Sequence, residues 1–424
     1  MKNKKRTTKK MRERETLKPV ELEQKVDELL TRGVVDVIER GHLRDRMLSG
    51  EILRVKFGID PTGPNIHIGR GSAIKKLREF QDLDHQIVLI IGDATAQIGD
   101  ASDKENARRM LNSEEVASNE TKYLEQIGRI IDINKAEIHH NSEWIERLTP
   151  QDWIRLASLF TLQQIAQRDN FAKRIAKNNP VGFHEGMYCL LQGFDSVNIQ
   201  ADVEIGGTDQ LFNLLAGRKI QEHFGQQPQD IMTLQLLAGT DGRKMSTSWS
   251  NVILVNESPE EKYGKVMRIA DPLIPVYLEN ATLIPMRRVH EIKIALEEGE
   301  GNPMDYKKEL AYEIVKFYDG EEAARQAQSH FERVVQKQEP PKEMATIRVS
   351  PKLSVTELFD VLKRANLVKS KSDARRLMDQ GAIHIGNSEL RVDNLETLIG
   401  IPQDPEGIMV RVGKRRFMRL IGEE

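Results

Sequence analysis

The chain has 424 residues, of which 39% are hydrophobic and 30% charged, and its formal net charge is −2. This length predicts two or three domains, and the near-neutral charge means that any RNA contact must come from local patches. The longest apolar run, residues 87–91, is far too short to cross a bilayer, and a single cysteine excludes a disulfide framework and favours a reducing cytoplasm.

The N-terminal segment is strongly basic, with eight lysines and arginines among its first fourteen residues. No apolar stretch follows these charges, although a secretory signal peptide requires one. Residues 1–16 are therefore predicted to form a solvated, disordered arm.

A strand, a helix and a second strand are predicted between residues 53 and 91. Residues 53–59 and 87–91 are apolar runs of the kind found in buried parallel strands. Apolar residues recur at helical spacing from about 67 to 81. This βαβ unit, right-handed by default, predicts one half of a Rossmann-type parallel sheet.

A charged, mostly helical stretch at residues 112–180 is interpreted as an insertion between two halves of the sheet. The second half repeats the order of the first, with predicted strands at 201–205 and 231–238 and a helix at 211–221. The catalytic domain is thus predicted to span 17–260. A helical pattern follows over 261–340 and ends in a proline-containing linker.

Residues 350–424 are predicted to form a small α+β module. Leu358, Val361 and Leu362 lie on one face of a short helix, and Ser372 is expected to cap a second helix that ends at Gly381. A hairpin-like stretch with its turn at residues 386–387 follows. Clustered cations suit RNA phosphates, although an ordinary charged surface is an equally good reading of the cluster alone. The candidate RNA-binding residues are Lys369, Lys371, Arg375, Arg376, Lys414, Arg415 and Arg416.

Three turns rich in glycine, hydroxyl and cationic side chains carry the candidate chemistry: DPTGPNIHIGR at 60–70, IGGTDQ at 205–210 and RKMSTS at 243–248. Such turns can hold a nucleotide at the end of a parallel sheet. Chemistry at the phosphates of a bound nucleotide requires held phosphates and a stabilised transition state. Hydrogen-bond donors and cations, rather than a covalent nucleophile, are therefore the expected signal.

The first two turns offer complementary groups to a nucleotide. Gly69 allows close approach to the free N–H groups at a helix start, and Thr62 and His67 can donate hydrogen bonds to phosphates. Gly207 allows a similar approach at the second turn, where Asp209 can accept from ribose hydroxyls. Capping of the following helix is the structural alternative for Asp209, and both roles can coexist.

The third turn carries Lys244 and hydroxyl donors, and a mobile loop with these groups can close over a triphosphate. The candidate ATP-binding residues are Asp60, Gly69, Gly207, Asp209, Met245, Ser246, Thr247 and Ser248.

A predicted helix around residues 184–197 carries two adjacent stripes. The apolar stripe, Met187, Leu190, Leu191 and Phe194, is expected to face the core. Tyr188, Gln192 and Asp195 form a polar stripe beside it. Periodicity alone leaves a solvent-exposed polar face as the favoured alternative to a polar binding wall.

In this order, the three turns resemble those of class I aminoacyl-tRNA synthetases, and most closely those of bacterial tyrosyl-tRNA synthetases. The resemblance extends from about residue 26 to 422. The family pattern His-Ile-Gly-His reads His67-Ile68-Gly69-Arg70 here, and Lys-Met-Ser-Lys-Ser reads Lys244-Met245-Ser246-Thr247-Ser248. The implied fold is α/β: a Rossmann-type parallel-sheet catalytic domain with a helical insertion, an α-helical anticodon-side domain and a small α+β RNA-binding module.

The resemblance also implies residue roles. Tyr188 and Gln192 lie near the substrate ammonium in that family, together with Asp100 and Thr95, and Asp195 accepts the phenol hydroxyl. Gln210 lies nearer the carboxylate, and Lys56 takes the position of a second tyrosine beside the phenol. The implied tyrosine-binding set is Lys56, Thr95, Asp100, Tyr188, Gln192, Asp195 and Gln210; the implied catalytic set is Thr62, His67, Arg70, Lys104 and Lys244.

The activity implied by the resemblance is activation of L-tyrosine with ATP and transfer of the tyrosyl group to tRNA(Tyr). Mg²⁺ is expected to arrive with ATP rather than in a dedicated protein site. A cytoplasmic homodimer without a membrane partner is expected. Two alternatives stay open at this point: a tryptophan-specific relative, and a non-catalytic RNA-binding paralogue.

Overall fold

A computed structural model describes residues 18–99, 112–246, 249–336, 344–386, 388–392, 394–413 and 416–423. Its contacts divide the chain into two compact units, one up to Gly320 and one from Glu321 onward. The further division of the first unit at residue 260 stays a prediction. Among the described helices, none is both long enough and apolar enough to span a membrane.

The first unit is built on a six-stranded sheet. In chain order its strands are β1 (Val34–Ile38), β2 (Arg54–Ile59), β3 (Gln86–Ile91), β4 (Glu137–His140), β5 (Val203–Gly207) and β6 (Asp230–Leu234). Across the sheet they lie in the order β1-β6-β5-β2-β3-β4. β1 runs antiparallel to β6, and the other neighbours are parallel. Because the chain proceeds outward in opposite directions from β2 and β5, a crevice is expected where these two strands end.

The helices of this unit include those that connect the strands, those of the insertion at 112–180, and those that follow β6. They are α1 (Pro19–Leu29), α2 (Arg40–Leu48), α3 (Ile68–Asp82), α4 (Asp93–Ile98), α5 (Ser113–Ile127), α6 (Ser142–Ile145), α7 (Pro150–Ser158), α8 (Leu162–Ala166), α9 (Asp169–Ala176), α10 (Phe183–Ile199), α11 (Leu211–His223), α12 (Pro259–Val266), α13 (Ile274–Ala281), α14 (Met286–Glu297) and α15 (Pro303–Asp319).

The predicted Rossmann-type fold is confirmed. The apolar run of β3 is buried along Ile87–Ile91, as its continuous pattern predicts, and β3 pairs in parallel register with β2, Ile91 opposite Ile59. The helix between them, α3, begins directly after His67, whose ring accepts a hydrogen bond from the Arg70 backbone N–H. Strand ends and helix starts therefore meet at one edge of the sheet.

Two strands were not predicted. β4 lies inside the stretch interpreted as helical and pairs with β3, and β1 forms the opposite edge of the sheet. β4 is a four-residue edge strand of half-buried residues, Glu-Ile-His-His, so it carries neither an apolar run nor a clear alternation. The insertion therefore contributes a strand as well as helices.

The second unit contains the helices α16 (Glu321–His330), α17 (Val355–Arg364) and α18 (Lys371–Asp379), a π-helical segment at Phe331–Gln336, and the strands β7 (Ala345–Val349), β8 (Lys352–Ser354), β9 (Ile383–Ile385), β10 (Ser388–Glu389), β11 (Leu398–Gly400), β12 (Ile408–Val412) and β13 (Arg416–Gly422). The larger sheet has the order β10-β9-β12-β13-β7. Leu358, Leu362 and Met378 pack with Met418 and Leu420 in its core.

The predicted cap of α18, the second helix of the predicted C-terminal module, is wrong by two residues. Ser370, not Ser372, precedes α18, and its hydroxyl accepts a hydrogen bond from the Asp373 backbone N–H at 3.1 Å. The Lys369 N–H donates in turn to the Asp373 carboxylate at 3.0 Å. Because both bonds converge on Asp373, the chain turns into the helix earlier than the serine pattern alone indicates.

Candidate functional site

A cavity of about 240 Å³ lies where β2 and β5 end, at the point where the strand order reverses. We call it the sheet cavity. It brings together most of the described residues predicted from the three turns and from α10. Those that line it are Asp60, His67, Gly69, Arg70, Thr95, Tyr188, Gln192, Asp195, Gly207, Asp209, Gln210, Lys244 and Met245.

Asp60, the first residue after β2, organises the floor of the sheet cavity. The Tyr188 hydroxyl donates to one carboxylate oxygen at 2.9 Å, and the Thr95 hydroxyl donates to the other at 2.8 Å. A side chain at Gly92 has no room here, because its Cβ would lie 2.0 Å from the Asp60 carboxylate. Asp60, which the sequence assigns to the ATP-binding set, thus accepts hydrogen bonds from two residues of the predicted tyrosine-binding set, Tyr188 and Thr95.

Asp195 is a buried carboxylate at the inner end of the sheet cavity, 3% exposed. The Trp144 indole N–H donates to it at 2.8 Å, and the Asn141 amide approaches it at 3.5 Å. Burial raises the pKa of Asp195 to about 7, while the Lys56 charge and these two donors lower that pKa. The group is therefore poised to change charge near neutral pH.

Asn141 and Trp144 are the site residues that sequence reasoning missed. Both follow β4, where the Asn141 N–H donates to the Ile91 carbonyl at 3.0 Å and the Ser142 N–H donates to the Asp93 carboxylate at 2.9 Å. Recognition of β4 as a strand would have pointed to both residues, because the end of β4 lies at the same sheet edge as the other site residues.

Lys56 lies beneath the sheet cavity and is absent from its lining. It is fully buried, and its ammonium donates to the Gln192 carbonyl at 2.6 Å and to the Ser196 hydroxyl at 2.8 Å. The same ammonium pairs with Glu204 at 2.9 Å. The expectation that Lys56 replaces a tyrosine beside the phenol is therefore corrected, since its side chain turns to the carboxylate of β5.

The start of α3 presents polar groups to the sheet cavity. His67 Nδ1 accepts from the Arg70 backbone N–H at 3.3 Å, which leaves the proton of the neutral ring on Nε2. The Arg70 guanidinium donates to the Tyr123 hydroxyl of α5 at 2.9 Å. Thr62 is half-buried in the preceding turn and is not among the lining residues.

The third turn is anchored by a buried asparagine. Asn251 accepts from the Ser246 N–H at 2.8 Å and donates to the Lys244 carbonyl at 3.0 Å and to Asp241 at 2.8 Å. Hydrogen bonds from Asn251 and from Arg243 lower the pKa of Asp241 to about 2. The Lys244 ammonium then reaches Asp209 at 3.2 Å, so the second and third turns meet across the opening of the sheet cavity.

A second depression adjoins this opening. We call it the basic groove; its volume is about 610 Å³, and it shares Asp209 and Lys244 with the sheet cavity. The other cations that line it come from α9 and its flanks: Arg168, Lys173, Arg174 and Lys177.

Several predicted residues lie elsewhere or outside the described chain. Asp100, Lys104, Thr247, Ser248, Lys414 and Arg415 are not described. Ser246 is described, but it does not line the sheet cavity. In the second unit the remaining predicted RNA-binding residues are exposed: Lys369, Lys371, Arg375, Arg376 and Arg416. The described residues contain no group of three or more side chains suited to a metal ion.

Comparison with known proteins finds similar sequences among the tRNA synthetases. Residues 48–336 match the family model described as tRNA synthetases class I (W and Y). The Tyrosine–tRNA ligase of Thermotoga maritima is 46% identical over 398 residues, which cover 93% of this chain and 97% of that protein. The Tyrosine–tRNA ligase of Carboxydothermus hydrogenoformans is 43% identical over 405 residues, which cover 94% of this chain and 98% of that protein.

Solved structures with a similar fold include a tyrosyl-tRNA synthetase from Archaeoglobus fulgidus complexed with L-tyrosine, with a TM-score of 0.59 and 21% identity over 74% of this chain and 100% of that one. A C-terminally truncated mitochondrial tyrosyl-tRNA synthetase of Aspergillus nidulans has a TM-score of 0.59 and 21% sequence identity, over 72% of this chain and 92% of that one. At this identity the likeness supports the fold alone. The family model and the curated relatives go further: the chain belongs to the class I tRNA synthetases, in the family of the tryptophan and tyrosine enzymes.

Proposed function

We propose that the chain is a tyrosine–tRNA ligase, which joins L-tyrosine to ATP as tyrosyl-adenylate and then transfers the tyrosyl group to the terminal adenosine of tRNA(Tyr). One observation carries the proposal: a single cavity is lined both by Asp209, His67 and Lys244 and by the polar stripe of α10. The first set suits a nucleotide and the second suits an amino acid. The curated relatives named as Tyrosine–tRNA ligases support the same reaction.

Asp195 is the proposed acceptor of the substrate phenol hydroxyl. The Trp144 N–H already fixes the orientation of this carboxylate at 2.8 Å. Phenylalanine in the same place would leave a buried carboxylate without its partner, and that penalty supports selection against phenylalanine, a discrimination for which this enzyme family is the known example. Tyr188, Gln192 and Thr95 are the proposed partners of the substrate ammonium, and Gln210 lies toward its carboxylate.

ATP is proposed to enter between the start of α3 and the third turn. The α3 N-terminus offers backbone N–H groups to phosphate, and the His67 Nε2–H and Lys244 supply further donors. Asp209, which pairs with Lys244 here, exchanges that partner for ribose hydroxyls while Lys244 turns to the phosphates. Mg²⁺ is proposed to be carried by the ATP phosphates.

tRNA is proposed to contact both units. The exposed cations of α18 and Arg416 suit the RNA backbone, and the basic groove offers a path for the acceptor end toward Asp209 and Lys244. Arg70 stays a proposed catalytic residue, as do Thr62 and Lys104.

A homodimer is proposed from the insertion and the start of α10. Large apolar side chains are exposed there, with Leu162 71% and Ile154 69% exposed in the insertion and Phe183 75% exposed at the start of α10. Exposed apolar side chains of this size are candidate contacts for a partner subunit. Light scattering should give twice the chain mass at micromolar concentration, and a monomer there would refute the dimer. Cytoplasmic localisation accompanies the proposed reaction.

Substitution of the proposed phenol acceptor tests the pocket assignment. Asp195→Ala should abolish tyrosine binding measured by calorimetry and leave ATP binding within about twofold, because Asp195 lies at the amino-acid end of the sheet cavity. Unchanged tyrosine affinity would refute the assignment. Binding of tryptophan in preference to tyrosine by the unmodified protein would favour the tryptophan-specific alternative, and binding of neither would favour a non-catalytic RNA-binding protein.

A further inference from the structure

A buried ion pair lies directly beneath the polar wall of the sheet cavity. Lys56 of β2 is 0% exposed and Glu204 of β5 is 1% exposed, and their charged atoms are 2.9 Å apart. Neither residue lines the sheet cavity. Buried ion pairs of this kind are costly to desolvate, and their net contribution to stability is often small.

The contacts of this pair converge on Gln192. The Lys56 ammonium donates to the Gln192 backbone carbonyl at 2.6 Å, and the Gln192 side-chain amide donates to Glu204 at 3.1 Å. The backbone and the side chain of one cavity-lining residue are thus held by the two members of one ion pair. The pair therefore holds both ends of Gln192 in the orientation that it has at the cavity wall.

The pair also fixes the next turn of α10. The Ser196 hydroxyl accepts from Lys56 at 2.8 Å and donates to Glu204 at 3.3 Å. Ser196 is adjacent in sequence to Asp195, the proposed phenol acceptor. The amide of buried Gln229 also donates to Glu204. Lys56, Glu204 and Ser196 thus form one buried hydrogen-bonded cluster under the segment from Gln192 to Ser196.

We propose that Lys56 and Glu204 are positioning residues for tyrosine, which set the orientation of Gln192 and the placement of Asp195 without touching the substrate. The proposal rests on the assignment of the sheet cavity as the tyrosine pocket. A displacement of about 1 Å in a substrate-binding group can cost about a hundredfold in rate. Loss of the pair is therefore expected to weaken the use of tyrosine much more than the use of ATP.

The test compares two variants of the full-length protein with matched controls. Lys56→Met removes the ammonium and leaves the Glu204 carboxylate buried and unpaired, whereas the double variant Lys56→Met/Glu204→Gln removes both charges with similar shapes and leaves no buried charge unpaired. Lys76→Met is the control for a buried lysine. Its ammonium donates to the Leu29 carbonyl at 2.9 Å and pairs with Glu79, and it does not line the sheet cavity.

Steady-state ATP–pyrophosphate exchange and thermal unfolding are measured for each variant. The proposal predicts a rise of about 10- to 100-fold in the KM for tyrosine for both Lys56 variants, with the KM for ATP within about threefold. The double variant should regain most of the melting temperature yet keep the raised KM for tyrosine, because it still lacks the ammonium that holds Gln192. Lys76→Met should lower the melting temperature only.

Four outcomes would overturn the proposal. A double variant that recovers the tyrosine KM together with its melting temperature would show that the pair serves folding alone, and so would an equal rise in KM for Lys76→Met. Gln192→Ala separates this failure from failure of the pocket assignment. An unchanged tyrosine KM in Gln192→Ala would overturn both, whereas a raised KM there with normal Lys56 variants would overturn only the positioning role.

Discussion

Replacement of Trp144 by phenylalanine removes one donor from the Asp195 carboxylate and keeps most of the aromatic packing. The Trp144 indole N–H lies 2.8 Å from that carboxylate, and the ring also contacts buried residues of β3. Since Asp195 is the proposed acceptor of the phenol, it must be ionised to accept best. Loss of the indole donor destabilises the ionised form and raises the pKa of Asp195 further.

The size of this effect follows from the contact. A hydrogen bond to a charged group contributes about 1.5–3 kcal/mol, which corresponds to about one to two pKa units. The pKa of Asp195 is about 7 with the indole donor in place, so that of Trp144→Phe should lie near 8 to 9. The ionised fraction at pH 7 then falls by about 5- to 50-fold, and by pH 9 the difference narrows to about twofold or less.

The assay is kcat/KM for tyrosine in ATP–pyrophosphate exchange between pH 6 and pH 9, because this quantity reports groups of the free enzyme. Trp153→Phe is the matched control, since Trp153 lies on α7, whereas the indole that donates to Asp195 is that of Trp144. Trp144→Phe should show its largest deficit at or below pH 7. A deficit of constant size across the pH range would refute the reasoning and indicate a packing effect alone.

Three further predictions concern stability, ATP and tRNA. Between about pH 4 and pH 7 the folded protein keeps a proton on Asp195 that the unfolded chain has lost, so rising pH should destabilise the unmodified protein relative to Asp195→Asn. Urea unfolding at pH 5 and pH 8 should detect about 3 kcal/mol of the effect, and a pH-independent difference would contradict it. Lys244→Ala should lower kcat for exchange by about 10²- to 10³-fold with tyrosine affinity unchanged in equilibrium dialysis, and a loss under about threefold would argue against its phosphate role. A chain that ends at Gly320, the boundary of the first unit, should still form tyrosyl-adenylate but charge tRNA at least about tenfold less efficiently, and equal charging would count against the second unit as an RNA-binding element.

Local sequence patterns predicted the parts of the site that depend on local structure. The turn after β2 and the start of α3 follow from an apolar run that ends in Pro, Gly and a helix cap. The polar stripe of Tyr188, Gln192 and Asp195 follows from helical spacing on α10, and the structure brings all three to one cavity.

Contacts between distant segments could not be predicted in this way. Trp144 reaches Asp195 across 51 positions in the chain, and Lys56 reaches Glu204 across the β2–β5 strand pair. No periodicity relates such residues, and β4, which would have placed Trp144 at the sheet edge, is too short and too polar to recognise. The sequence shows the place of Lys56 in the family pattern but not its ion pair with Glu204, so sequence reasoning assigns Lys56 to the substrate.

The most direct test of the proposed function is amino-acid-dependent ATP–pyrophosphate exchange by the purified full-length chain, with tyrosine, tryptophan and phenylalanine in parallel. The sheet cavity, with Asp195 as phenol acceptor, predicts exchange with tyrosine and at least about a hundredfold lower kcat/KM with the other two. Exchange with tryptophan at a comparable rate would contradict the pocket assignment. The absence of exchange with all three, from a folded sample, would contradict the proposed enzyme.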